Sequence, residues 1–212
     1  MDSPNDRSNA PQNSYSIRDE YQRATLDRTH VLTINYIYEL PFFQKQEGFT
    51  GKVLGGWQAS GIIVYNSGLP FSAVTSSFDA AGLGNNPALI AGNRPNLLCD
   101  PNANAPHTWQ QWFNTACFQA NPTTNSGIVN QVGSAGRGII EGPPTKRVDF
   151  TMTKNIRFNE NTQLQLRGEA FNVFNQVNFR GFASLNRTAG NFGQISTVRD
   201  PRTIQLGAKF IF

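Results

Sequence analysis

Long apolar runs are missing from this sequence. No window approaches the roughly 18 uninterrupted apolar residues of a membrane-crossing helix, which excludes such a helix but leaves open a barrel, whose strands hide their signal in alternation. Histidine is scarce: His30 and His107 are the two in the chain, and nothing motivates a general-base role for either. There is no Gly-x-Ser-x-Gly elbow, no His-Glu-x-x-His pattern and no phosphate loop ending in Gly-Lys-Ser or Gly-Lys-Thr, so neither an enzyme nor a cofactor is expected. Gly133 to Gly138 is glycine-rich but lacks that lysine and a preceding apolar strand, and it reads as a flexible loop. Charged residues make up 15%, and the net charge of +4 comes from Lys and Arg scattered along the chain. Without a run able to track phosphates, nucleic acid is not an expected partner. The opening Met1-Asp2-Ser3-Pro4-Asn5-Asp6-Arg7 has no charged start followed by an apolar core, so it is no secretory signal. With the patterns that follow, it reads as the tail of a longer exported chain.

What is present points to strands and turns. Hydrophobic residues reach 38%, low for a packed soluble protein of 212 residues, whereas there are 16 Phe, 19 Gly and 12 Pro. Thr203 to Phe212 alternates: Ile204, Leu206, Ala208, Phe210 and Phe212 share one face, and Thr203, Gln205, Gly207 and Lys209 share the other. About ten residues is what a tilted strand needs to cross the hydrocarbon layer. The expected fold is all-β, with about five C-terminal antiparallel strands of a large transmembrane barrel and long extracellular loops.

Residues 1–27 are polar and read as loop or disorder. Strands are expected near 29–40, 57–71, 147–158, 162–174 and 203–212, within a partial barrel over 28–212. Pro41-Phe42-Phe43 ends the first, because proline cannot donate to a central ladder. The apolar face of both the third and fourth strands is the even-numbered one. An antiparallel pair keeps those faces together only across an odd number of linking residues, and Asn159-Glu160-Asn161 supplies such a turn. Over 72–146 no period of 2 or 3.6 lasts long enough to define a main element, which suits a long external loop better than a compact soluble domain. A second long link, near 175–202, precedes the last strand. Connections thus alternate short and long, as in outer-membrane barrels with short periplasmic turns. This puts the C-terminus on the periplasmic side.

Several residues acquire expected roles. Leu206, Phe210 and Phe212 form the terminal signal read by barrel-assembly machinery. Tyr36, Tyr38, Phe42, Phe43, Trp57 and Phe158 form an aromatic girdle facing outer-membrane lipid. Arg147, Asp149, Arg167 and Glu169 face the lumen, within reach of one another across the hairpin or of a plug, although a solvated face of a soluble sheet would space them alike. Lys154 sits badly on the lipid face: it must snorkel, or the register there differs. Asn172 is less troubling, being close to the outer end. Cys99 and Cys117, in the long loop, read as a disulfide worth about 3 kcal/mol in an oxidising compartment; the alternative is two unpaired thiols. A metal site using His107 would need a fourth ligand and lacks a recognised zinc spacing.

Longer stretches carry a resemblance. They are Arg28-Thr29-His30 leading to Tyr36-Ile37-Tyr38-Glu39-Leu40-Pro41-Phe42, and Gly55-Gly56-Trp57-Gln58 leading to Ser67-Gly68-Leu69-Pro70-Phe71. Gly92-Asn93-Arg94-Pro95-Asn96, Trp112-Phe113-Asn114 and Gly133-Ser134-Ala135-Gly136-Arg137-Gly138 follow. The strongest are Leu166-Arg167-Gly168-Glu169-Ala170-Phe171-Asn172-Val173-Phe174-Asn175 with Asn178-Phe179, and Phe192-Gly193-Gln194-Ile195 leading to Arg199-Asp200-Pro201-Arg202. In this order they resemble the C-terminal barrel of Oar-like TonB-dependent outer-membrane receptors of the acidobacterial type. The resemblance implies energy-coupled uptake of a scarce solute, of the carbohydrate or peptide class, at the cell outer membrane. It also implies partners outside this sequence: an N-terminal plug, further barrel strands, and the TonB complex reached through the full-length receptor. Five strands are too few to close, since membrane barrels need about eight and plugged transporters about 22. A membrane-anchored adhesion or binding module is the alternative, and a soluble β-sandwich a third reading.

Overall fold

A computed structural model describes residues 11–13, 16–75, 94–119, 132–159 and 161–212, apart from the side chain of Asp19. Its strands in chain order are β1 (Val31–Glu39), β2 (Trp57–Asn66), β3 (Pro70–Phe71), β4 (Asn96–Leu97), β5 (Phe118–Gln119) and β6 (Ile140–Glu141). They continue with β7 (Thr145–Arg157), β8 (Gln163–Phe171), β9 (Phe179–Phe182), β10 (Ile195–Val198) and β11 (Thr203–Ile211), and a short helix α1 (Gly48–Leu54) lies between β1 and β2. The fold is all-β. The chain divides into two compact units: a sheet unit from His30–Asn66, Thr145–Asn178 and Arg199–Phe212, and a loop unit from Met1–Thr29, Ser67–Pro144 and Phe179–Val198.

The sheet unit is a five-stranded antiparallel sheet in the order β1-β2-β7-β8-β11. Its register joins the apolar faces of all five strands into one. A single row runs from Tyr36 through Gly61, Phe150 and Ala170 to Ile204. A neighbouring row runs from Tyr38 through Ala59, Met152 and Gly168 to Leu206. The opposite face is polar over most of β7, β8 and β11. Gly61 is required in its row, because a Cβ there would lie 2.4 Å from the Asp149 carbonyl and 2.7 Å from the Tyr36 hydroxyl. The apolar face is open: Ile204 is 66% exposed, Leu206 82% and Phe210 56%. An uncovered apolar sheet is unusual in water and suits a lipid-facing wall.

At one end of the sheet the connections are the shorter ones: β1 and β2 are joined through α1, and β7 and β8 by a tight turn. Phe158 N–H donates to the Thr162 carbonyl at 3.0 Å, and the Asn159 side chain accepts from the amides of Asn161 and Thr162. Glu160 lies outside the described residues. At the other end leave the long connections, from Asn66 to Thr145 and from Phe171 to Thr203.

Strand limits differ from the sequence reading in two places. β2 stops at Asn66, and Pro70–Phe71 pairs instead with Ile140–Glu141. Gly68 permits this by backbone approach: a Cβ there would fall 1.8 Å from the Gly142 carbonyl. β8 stops at Phe171 because Asn172 and Asn175 adopt φ of 51° and 50°, a conformation asparagine tolerates better than most residues.

The loop unit corrects the expectation of a connection without packing. Phe113, Phe118, Ile140, Trp112, Phe192 and Ile195 are buried in a common core with Ala73, Ala135 and Cys117. Phe113 meets Phe118, Phe182 and Phe192 edge to face at 5.7, 5.7 and 5.2 Å. Two-residue and four-residue ladders, β3–β6, β4–β5 and β9–β10, frame it. The Gly133 to Gly138 stretch is packed rather than loose. Gly133 is buried where a Cβ would lie 1.8 Å from the Arg94 carbonyl, and Gly138 has φ of 61°.

The two faces of β11 make a testable contrast. In full-length protein folded into phospholipid vesicles, Leu206→Arg is expected to lower stability to denaturant by about 2 to 4 kcal/mol, and Gln205→Arg by less than about 1. Equal losses at the two positions would contradict the assignment of faces.

Candidate functional site

The polar face of the sheet carries the charges read from sequence. Arg147 and Asp149 form a two-pronged pair, with Nε to Oδ1 at 2.7 Å and a second guanidinium nitrogen to Oδ2 at 2.5 Å. Arg167 and Glu169 pair at 2.6 Å. Both pairs run along a strand, at i and i+2, and not across the hairpin as expected. The register explains it: Thr151 stands opposite Glu169 and Thr153 opposite Arg167, so the two charged pairs are offset along the ladder. Between them and the tight turn, Gln165 donates to the Asn155 side chain at 2.9 Å. The result is a hydrogen-bonded surface of both charge signs. Among the described residues no cluster of His, Cys, Asp and Glu is grouped to hold a metal.

Lys154 neither snorkels nor breaks the register. Its side chain is buried on the apolar face, where Nζ donates to the carbonyls of Lys52, at 2.6 Å, and of Gly55, at the C-terminal end of α1. The ring of Trp57, its register partner, lies 5.5 Å away. The helix end thus offers the ammonium its unpaired carbonyls and partial negative charge. Gln46 fixes the same connection from the other side: its amide donates to the Asn155 carbonyl at 2.9 Å and accepts from the Arg157 amide at 3.0 Å.

The aromatic residues assigned to a girdle gather towards the tight-turn end. Tyr38 lies opposite Ala59, and Phe42, Phe43 and Phe158 are exposed. Phe158 stands 6.5 Å from Phe210, which stands 6.1 Å from Phe212. Tyr36 lies farther in, above Gly61. Leu206, Phe210 and Phe212 are all exposed at the open edge strand.

Two asparagines hold the strand exits: Asn172, expected near the outer end of the lipid face, and Asn178, for which no role was expected. Asn172 N–H donates to Asp149, and its side chain bonds the backbone of Gln176 and the Asp200 carbonyl. Asn178 clasps both backbone groups of Lys146, at 2.7 and 2.8 Å. For Asn178 the sequence signal was its place in the stretch that carried the family resemblance.

In the loop unit Cys99 and Cys117 are joined by a disulfide with Cα atoms 4.9 Å apart. His107 meets Trp112 edge to face, with ring centroids 4.9 Å apart. A buried ion cluster was not foreseen. Arg94 holds both oxygens of Glu20, at 2.7 and 2.9 Å, and Arg137 approaches at 3.7 Å. Gln12, itself buried, accepts from the Arg94 amide and donates to the Gly133 carbonyl. Glu20 sits in a stretch read as loop or disorder, and no local pattern could pair it with Arg94. Burial opposes the charge on Glu20. The hydrogen bonds from Arg94 and the Gln12 amide, with the charges of Arg94 and Arg137, outweigh that burial and hold its carboxyl below the ordinary value. Gly92 and Asn93 lie outside the described residues.

A family model described as "Outer membrane beta barrel domain" matches residues 1–205. No curated protein and no solved structure matches the chain.

Two outcomes are expected for the loop unit. Because the native pKa of Glu20 lies below its unfolded value, its contribution is complete above the unfolded value and is lost as pH falls through the native one. Protection of the Gly133–Gly138 amides, taken as their exchange relative to the intrinsic rate at each pH, should therefore fall on acidification in the wild type and change less in Glu20→Gln; parallel profiles would refute the role of the cluster. Replacing both cysteines by serine should destabilise the unit by about 3 kcal/mol, seen as faster cleavage by a protease. An unchanged rate would show that the disulfide bears no part of its stability.

Proposed function

Because the chain belongs to the outer-membrane β-barrel domain family, we propose that it supplies wall strands and external connections to an Oar-like TonB-dependent receptor. The receptor takes up a scarce solute of the carbohydrate or peptide class and has no catalytic role. The observation that carries this reading is the inequality of the two sheet ends: the shorter connections, a tight turn and a link through α1, at one, and the long ones at the other. In outer-membrane barrels the long connections face outside and carry ligand contacts.

In this reading the C-terminus is periplasmic, the apolar face meets outer-membrane lipid, and Arg147, Asp149, Arg167 and Glu169 face the lumen. Tyr36, Tyr38, Phe42, Phe43, Trp57 and Phe158 form the aromatic girdle. Leu206, Phe210 and Phe212 address the strand to barrel-assembly machinery. The open edges of β1 and β11 join further strands, because about 22 are needed around a plug. The plug and the TonB complex are then partners of the full-length receptor.

A second reading, an adhesion module anchored by its barrel, is favoured by the packing of the loop unit around an aromatic core and a disulfide. Energy coupling separates the two. Uptake of a bound solute by the full-length receptor should stop when the TonB complex is deleted. Binding of an external partner with uptake intact after that deletion would leave adhesion and remove transport. Orientation has its own test: an epitope inserted after Asn104 should be reached by antibody on intact cells, and one inserted after Asn161 only after permeabilisation. The reverse would invert the sheet.

A further inference from the structure

The connection between β1 and β2 exposes more apolar surface than a link in water would. Phe42 and Phe43 precede α1, and within the helix Phe49 is 85% exposed, with Val53 and Leu54 also open. Phe49 and Val53, four residues apart, share one side of the helix. Gly51, about half a turn round from both, is buried against Gln46, where a Cβ would fall 2.9 Å from the Gln46 carbonyl carbon. Lys52 is the one charged residue of the helix. The helix thus turns its apolar side outward, the reverse of a helix packed on a soluble core.

Where α1 sits decides what that side meets. Two side chains of the apolar sheet face hold its last turn: the Trp57 indole donates to the Val53 carbonyl at 3.1 Å, and Lys154 donates to the carbonyls of Lys52 and Gly55. Trp57 and Lys154 stand opposite each other in one row of that face, and Leu166 continues the row. The helix end therefore rests on the side of the wall that the lumen does not reach. Lys52 stands over the Phe158 ring at 5.9 Å, and Phe158 leads on to Phe210 and Phe212. The exposed side chains of α1 are thus continuous with the apolar face, at the level where its exposed aromatic rings gather. Aromatic rings favour the depth where headgroups meet acyl chains, and a short helix with apolar residues outward and a lysine at their border suits the same depth. We propose that α1 is an interfacial helix lying in the membrane plane beside the wall, with Phe49, Val53 and Leu54 in the lipid. Its carbonyls shield the Lys154 ammonium from hydrocarbon, and its apolar side chains fix the depth at which the sheet sits. The inference rests on the sheet being a membrane wall but not on transport.

The test places the photocrosslinker benzoylphenylalanine at Phe49 or at Val53 of full-length protein folded into vesicles of phosphatidylethanolamine and phosphatidylglycerol, and reads the adducts by mass spectrometry after irradiation. Leu206 and Gln205, on the apolar and polar faces of β11, are the reference positions, and heat-dependent gel migration reports that each variant is folded. Lipid adducts at Phe49 and Val53 should approach the level at Leu206 and exceed that at Gln205 by at least about fivefold. Adducts at Phe49 and Val53 no more frequent than at Gln205, with lipid still captured at Leu206, would overturn the interfacial helix and leave the wall intact. Crosslinks from Phe49 and Val53 to another protein segment or to a second copy, in place of lipid, would overturn lipid as the occupant. Absence of lipid adducts at Leu206 as well would remove the wall on which the inference rests.

Discussion

The five-stranded sheet depends on its pairing register, because with a side-chain period of two a slip of one residue exchanges the faces of a whole strand. Four ladders must agree before a face becomes continuous. Here they do: Tyr36, Gly61, Phe150, Ala170 and Ile204 stand in one row, and the polar residues of β7, β8 and β11 collect behind them. The turn at Asn159 to Asn161 keeps parity between β7 and β8, and the asparagine clasps at Asn172 and Asn178 hold the exits at the other end. A single apolar face of this kind, left open by its own unit, is what an outer-membrane barrel wall requires.

Where a residue violates the pattern, the structure satisfies it locally. Lys154 lies among apolar side chains, where an isolated ammonium would be costly. The end of α1 provides two carbonyls, and Trp57 provides a ring. The same helix places Lys52 near Lys45 and Arg157 around one cavity, so one connection both solvates a buried ammonium and gathers three cations. The loop unit meets a different requirement. It has few long strands, and it is held by edge-to-face phenylalanines, the Cys99–Cys117 disulfide and the Glu20–Arg94 pair. Removing one partner of a buried ion pair of this sort would leave the other charge buried and unpaired.

How much was legible follows from the range of each interaction. Strand period is local, so the main strands and their faces could be read from residues two apart, and the odd-length turn between β7 and β8 followed from parity. The cysteine pair could be read by counting. Phe113, Phe118 and Phe192 could not be recognised as a core, because they lie in segments without periodicity and meet only after the chain folds back. Glu20 and Arg94, 74 residues apart, had no shared pattern. The charged pairs of β7 and β8 were legible as a face but not as pairs, since the offset of the ladder decides who is within reach.

The sequence by itself determined the all-β class, the main strands, the face each side chain joins, the tight hairpin and the alternation of short and long connections. All of these depend on neighbours a few residues apart. Only the tertiary structure decided the order β1-β2-β7-β8-β11, the capture of Lys154 by helix carbonyls, the packing of the long connections and the clustering of Lys45, Lys52 and Arg157. Each of these brings together groups far apart in the chain, and their meeting depends on register and close packing, which no local period encodes.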